Sequence, residues 1–395
     1  MNYDFDQLIE RKHTGSIKWD KPFPIDGNKK PLPLWVADMD FPCSQSIQQA
    51  LQDKVKEQIY GYHTGFSKEY KEAVCGWFQK RFDWTIEPSS IFYAGGVVAA
   101  IAYLIEIMSE EGDGIVISTP VYYPFKAKIE ATKRKVVENP LIEEDGAYRM
   151  DIEHLDTLLA RDDVKGMILC SPHNPVGRVW REEELMAVVN TAKKYGKWII
   201  SDEIHCDLIK AGYRHIPLWK LAKDYADHIV TCTAPSKSFN LAGLQISNII
   251  ITNLKWQRKW KEFVGERLSI QGPNNFAVAA CIAAYTKQDS ELWLEEVNRY
   301  VDANDAFVRD YLKKHLPHAI LTQREGTYLL WVDMRYYCQN EKELEQRMWK
   351  QGLILDEGYL FGEAGKGYER INLACPRCLI EECVERLCEE FQEGN

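Results

Sequence analysis

The sequence predicts an α/β fold: a mostly parallel sheet between two layers of helices, followed by a smaller α+β unit. Three observations carry that expectation. From about residue 90 to 255, short apolar runs alternate with helical patterns, which implies parallel strands with helices on both faces. Towards the C-terminus the pattern changes to strands followed by amphipathic helices. The length of 395 residues favours two domains and a core that needs no staples.

The elements follow in chain order. The first 50 residues are rich in Pro and Trp and poor in period, so they wrap over other elements, stiffened by Pro24, Pro31 and Pro33. In FYAGGVVAAIAYLI, Gly95 and Gly96 open an apolar helix. IVIST (115–119), KGMILCS (165–171), KWIISD (197–202), HIVTCT (228–233) and SNIIIT (247–252) are buried-strand candidates, with helix-like stretches such as REEELMAVVNTAKKYG between them. A long helical stretch near 275–315 leads to strands GTYLLWVDM (326–334) and ERINLACP (369–376), and to helices ELEQRMWKQG and LIEECVERLCEEFQ. In the last helix Leu379, Ile380, Cys383, Val384, Leu387, Cys388 and Phe391 form one core-facing stripe. The expected division is 1–50 as a segment packing with the small domain, 51–289 as the large domain and 290–395 as the small one.

Composition narrows the function. A net charge of −10 without a dense basic cluster disfavours a nucleic-acid partner. The apolar runs are far shorter than a membrane span, and the polar, acidic start reads as no signal peptide, so a cytoplasmic protein is expected. Eleven scattered cysteines, an odd number, point to free thiols in a reducing compartment. The single C-x-x-C, Cys375 to Cys378, lacks a second pair or nearby histidines at ligand spacing, so no metal is expected; a redox use stays open beside plain buried thiols.

Several polar residues fall just beyond the strand candidates: Tyr122 and Tyr123, Asn174, Asp202 and His205, and Lys237. In a parallel sheet these ends share one side, where ligands collect. Gly95-Gly96 at a helix start would let backbone N–H groups approach an anion, although a plain helix start has the same pattern. Taken singly, Lys237 could be a surface lysine, Asp202 a helix N-cap, His205 a core histidine and Arg370 an internal ion-pair arginine. Pyridoxal 5′-phosphate uses a lysine, a carboxylate, an aromatic face and a phosphate cradle together. Its aldehyde condenses with a lysine amine, and a carboxylate keeps its ring nitrogen protonated so that the ring withdraws electrons. At roughly 4 Å and an effective dielectric of about 20, that ion pair gives about 4 kcal/mol before desolvation, on the order of three pKa units.

SPHNPVGRVW, SDEIHCDL, SKSFNLAGLQ and ERINLACPR together resemble the fold-type I pyridoxal-phosphate enzymes of the class I/II aminotransferase superfamily. TGSIKWD (14–20), LWVADMDFP (34–42), YGYHTG (60–65) and GTYLLWVD (326–333) narrow the resemblance to the MalY/PatB branch, the cystathionine β-lyase-like C–S lyases. It runs from about residue 11 to 376, with the motifs in the family's order. The resemblance implies a large cofactor domain with a seven-stranded-type sheet, a small α+β domain, and pyridoxal 5′-phosphate as cofactor. Lys237 matches the Schiff-base lysine, Asp202 the carboxylate facing the pyridine nitrogen, and Asn174 the partner of the phenolate oxygen. His205 stands where many aminotransferases carry a tyrosine for that oxygen, and Tyr122 matches the stacking aromatic. Gly96 and Val97 would offer N–H groups to the phosphate, helped by the Ser236 hydroxyl. Tyr62 matches a residue that reaches the neighbouring subunit's phosphate, which implies a homodimer, and Arg370 matches the clamp on the substrate's α-carboxylate. The sequence departs from the wider superfamily at Gln245, where many aminotransferases have a phosphate-binding arginine.

Three functions stay open at this level. A β-eliminating C–S lyase acting on L-cystathionine or an S-substituted cysteine is favoured by the branch motifs. An aminotransferase shares the same steps up to the carbanion. A regulatory protein could use the same fold without turnover.

Overall fold

A computed structural model describes residues 3–25 and 28–392. The first two residues of the polar start, residues 26 and 27 of the wrapping segment, and 393–395 lie outside the described part. Seven strands form the central sheet, in the spatial order Ile91–Ala94, Ser247–Ile251, Ile229–Thr233, Trp198–Asp202, Val164–Cys170, Gly114–Ile117, Lys135–Glu138. Every predicted strand between 115 and 252 is present, and four successive neighbour pairs, from 229–233 across to 135–138, are parallel. Ser247–Ile251 runs antiparallel to both its neighbours. The sheet is therefore parallel in six of its seven strands.

Period-two alternation sorts the strand residues onto two cores. Ile115, Ile117, Ile168, Ile200, Val230 and Ile249 pack on the side of helix Val97–Met108, against Ile101, Leu104 and Ile105. Val116, Met167, Leu169, Ile199 and Ile229 pack on the opposite side, against Leu155 and Leu159 of helix Ile152–Leu159 and Leu185 and Val188 of helix Glu182–Lys194. Asp202 lies two residues beyond Ile200, so its side chain falls on the face of helix Val97–Met108. Register places Cys170 and Cys232 beside it on the flanking strands.

A four-stranded antiparallel sheet follows, in the order Ile320–Leu321, Leu329–Asp333, Tyr368–Asn372, Asp356–Glu357. The helical stretch expected near 275–315 is two helices, Asn275–Thr286 and Gln288–His315. The last helix, Arg377–Phe391, buries the predicted stripe except Leu379, which is half-buried.

The N-terminal segment wraps, as its composition suggested. Leu32–Pro33 pairs in parallel with Leu353–Ile354, Asp40 N–H donates to Ala374 O, and Asn372 N–H donates to Leu34 O. Ion pairs pin it: Lys18, 1% exposed, pairs with Asp40 at 2.6 Å, while the half-buried Arg11 and Asp38 pair at 2.7 Å. Breaking the Lys18–Asp40 pair from one side would strand a buried charge.

Candidate active site

Strand direction brings the polar residues together. The C-terminal ends of strands Gly114–Ile117, Val164–Cys170, Trp198–Asp202 and Ile229–Thr233 lie along one edge of the sheet, and the Gly95-Gly96 turn leaves Ile91–Ala94 at the same edge. A cavity of about 400 Å³ opens there. Its wall includes Lys237, Asp202, His205, Asn174, Tyr122, Gly96, Val97 and Ser236. Of the two adjacent tyrosines, Tyr122 lines the cavity, while Tyr123 packs its ring 5.4 Å from that of Phe361.

One wall is the start of helix Val97–Met108. Several helices here carry a side-chain cap, such as Ser44, Ser67 and Asn274, but this one begins at Gly96 with none. Gly96 has φ of 133°, which a side chain would oppose, although a Cβ there would meet no atom within 4 Å. The first N–H groups of the helix thus have no intrahelical acceptor and sit at the positive end of its dipole, facing the cavity.

The opposite wall carries Asp202. Its Oδ1 accepts from Ile204 N–H at 3.1 Å, and it has no cationic hydrogen-bond partner among the described residues. Burial pushes its carboxyl up to about 7, against the Ile204 hydrogen bond and the nearby Lys237 charge. His205 is held well below its ordinary value, first by burial and then by the charges of Lys237 and Arg370, and its buried Nδ1 has no partner among the described residues. Lys237 donates from Nζ to the carbonyl of Ala37. Burial, reinforced by Arg370, brings its amine down to about 8, with Asp38 and Asp202 opposing. An amine so lowered is available near neutral pH to accept a proton or attack a carbonyl.

Arg370 is 2% exposed on strand Tyr368–Asn372. Its Nη1 donates to Asn174 Oδ1 at 3.0 Å, its Nη2 donates to Trp35 O at 2.7 Å and pairs with Asp356, and its guanidinium lies 5.0 Å from the Phe361 ring centroid. Its Nε–H is buried and has no partner among the described residues. Asn174 is tied back through its carbonyl, which accepts from Tyr122 N–H at 3.0 Å. Tyr62 is fully exposed and does not line the cavity.

Sequence reasoning missed several cavity neighbours. The Ala37 and Trp35 contacts are made by backbone carbonyls, which leave no residue signature. Asp356 meets Arg370 through the cross-strand register Asp356↔Arg370, invisible in a short two-residue strand. Cys170 and Lys128 also line the cavity. Gln245, with φ of 52°, lies in the wall near Gly95, the place expected from its position after the lysine.

The family model for aminotransferase class I and II matches residues 29–387. The chain belongs to that family. It is 40% identical to cystathionine beta-lyase PatB of Bacillus subtilis (strain 168), over 97% of this chain and 98% of that protein. Cystalysin from Treponema denticola, whose crystal structure contains a pyridoxal 5′-phosphate cofactor, superposes with a TM-score of 0.93 at 37% identity, covering 99% of both chains. A PLP-bound putative aminotransferase from Clostridium difficile 630 gives 0.94 at 37%, covering 99% of this chain and all of the other. The mostly parallel sheet and the antiparallel sheet beyond it are thus the fold of these enzymes. No helix among the described residues is long and apolar enough to cross a membrane.

The raised Asp202 carboxyl has a measurable consequence in the cofactor-free chain. Between about pH 4 and about pH 7 the unfolded carboxyl is ionised while the folded one keeps its proton, so the unfolded state binds fewer protons and Asp202 lowers stability as pH rises. Asp202→Asn removes that dependence. The stability advantage of D202N over wild type, from urea unfolding of cofactor-free protein, is expected to grow by up to about 1.4 kcal/mol per pH unit across that window and level off above it. An advantage that stays flat from about pH 4 to 7 would refute the raised carboxyl.

Proposed function

We propose that this chain is a pyridoxal-phosphate-dependent C–S β-lyase of the cystathionine β-lyase type, cleaving L-cystathionine or S-substituted cysteines to a thiol, pyruvate and ammonia. The observation that carries the reading is the convergence of Lys237, Asp202, His205, Asn174 and an uncapped helix start on one cavity, in a chain 40% identical to a cystathionine beta-lyase.

The residues present fit the cofactor. Free N–H groups at Gly96 and Val97 and the Ser236 hydroxyl suit a phosphate, with Lys128 a further cation in the same wall. A buried aspartate with no cation of its own suits the ring nitrogen, and the Tyr122 ring suits stacking on one face. His205 and Asn174 stand for the phenolate oxygen, and Lys237 for covalent attachment through the aldehyde. When bound, the cofactor withdraws the electron pair left at the substrate's Cα.

The remaining work belongs to side chains. Arg370 receives the substrate's α-carboxylate and so sets the direction of the Cα–H bond. Its unpartnered Nε–H supports that role. The Lys237 amine, lowered to about 8, takes the Cα proton. The Cβ–S bond breaks and its electron pair leaves with the thiolate. Water then converts the remaining three-carbon unit to pyruvate and ammonia. With the cofactor bound, the protonated ring nitrogen would be the counter-charge that favours the ionised form of Asp202.

The same reading divides the chain into a wrapping segment 1–50, a large domain 51–289 and a small domain 290–395. It places Tyr62 at the phosphate of a neighbouring subunit in a cytoplasmic homodimer, which the full exposure of Tyr62 supports.

The test is a product assay on cofactor-loaded protein. Pyruvate and thiol are expected from L-cystathionine without any keto acid. A strict requirement for a keto-acid acceptor would assign transamination instead.

A further inference from the structure

The cavity described above accounts for one substrate carboxylate. A second cation that the mechanism does not use is linked to Arg370 through Trp35. Lys21 follows the short helix Ile17–Asp20, whose Lys18 is buried against Asp40. Its base is therefore fixed by the best-anchored part of the N-terminal segment. Its Nζ lies 4.6 Å from the Trp35 ring centroid and 5.1 Å from that of Phe23, and these two rings meet edge to face at 5.5 Å. An ammonium between two rings is held by their quadrupoles and loses little freedom when it meets an anion. No carboxylate pairs with Lys21 among the described residues.

Trp35 ties Lys21 to the site. Its carbonyl accepts from Arg370 Nη2 at 2.7 Å while its ring carries Lys21, so the two cations lie at opposite ends of a single residue. The charge of Lys21 also acts on Asp356, the ion-pair partner of Arg370. Arg370 is buried, whereas Lys21 is exposed. The pair thus presents a buried inner cation and a solvated outer one joined through Trp35.

From this arrangement we infer that Lys21 forms a distal subsite for a second carboxylate, carried on the thiol half of the substrate. The ligand class is a thioether of cysteine with an acid group on the leaving side, as in cystathionine, in preference to small S-alkyl cysteines. The inference rests on the C–S lyase reading for its substrate class. The subsite itself is a matter of binding.

The test compares Lys21→Gln, Lys21→Arg and wild type, all cofactor-loaded, on L-cystathionine and S-methyl-L-cysteine. K21Q is expected to raise KM for cystathionine about threefold to fivefold, the size of a half-screened ion pair, with kcat unchanged and S-methylcysteine unaffected. K21R is expected to restore the wild-type KM. Added salt should raise the cystathionine KM of wild type and leave that of K21Q nearly constant. An equal change on both substrates, or none on either, overturns the subsite. If wild type releases pyruvate from neither thioether, the lyase reading fails instead. Calorimetric affinities of the two compounds for wild type and K21Q then decide the subsite by the same comparison.

Discussion

Replacing Lys237 by alanine is expected to lower pyruvate release by about four orders of magnitude or more, because one amine both anchors the cofactor and moves the Cα proton. The same variant should lose the visible absorption that borohydride abolishes in the cofactor-loaded wild type. Folding should survive. The lost side chain is a desolvated amine whose charged form burial disfavours, and among the described residues its one direct hydrogen bond is to the Ala37 carbonyl. Its removal relieves a penalty more than it breaks packing. A K237A protein with wild-type colour, or borohydride labelling at another lysine, would move the anchor elsewhere and end the mechanism proposed for this chain.

Arg370→Met is expected to act on binding and on stability through separate partners. Loss of a charge-assisted pair to the α-carboxylate should raise KM by about tenfold to a hundredfold, mostly without change in kcat. The variant also leaves Asp356, 2% exposed, without its counter-charge, which costs about 3 kcal/mol in urea unfolding, less if the carboxyl takes up a proton. Burial already raises the Asp356 carboxyl, with Arg370 and Lys21 opposing. Adding Asp356→Asn to R370M removes the stranded charge, so the double variant should regain most of the lost stability and none of the KM. Recovery of both together, or a KM that never moved, would make Arg370 a structural ion pair only.

The features that positioned the site were those with a local signature. Apolar runs of strand length, each ending in a polar residue, marked Asn174 and Asp202, and strand parity explains why Asp202 shares a face with Ile200. The SKSFN turn marked Lys237 through its neighbours. A buried strand carries no sign of direction, so the reversal of Ser247–Ile251, which starts at the Lys237 edge and carries the chain away from it, was not legible. Asp356 was hidden for another reason. Its partner lies fourteen positions along the chain on an adjacent strand, and only the register joins them. The carbonyls of residues 35–38 were invisible because every residue has one.

Those carbonyls have a mechanical consequence. Ala37 O accepts from Lys237 and from the Tyr328 hydroxyl at 2.8 Å, Trp35 O accepts from Arg370, and Val36 O and Asp38 O accept from Asn372 Nδ2 at 2.7 and 2.6 Å. Four consecutive peptide units therefore rivet the proton-moving amine of one sheet to the carboxylate clamp of the other. Any rocking of the two layers that admits a substrate must carry this strap along, so base and clamp stay in step during opening instead of drifting apart. A nick or a proline that slackened 35–38 would detune the distance between them without touching either residue.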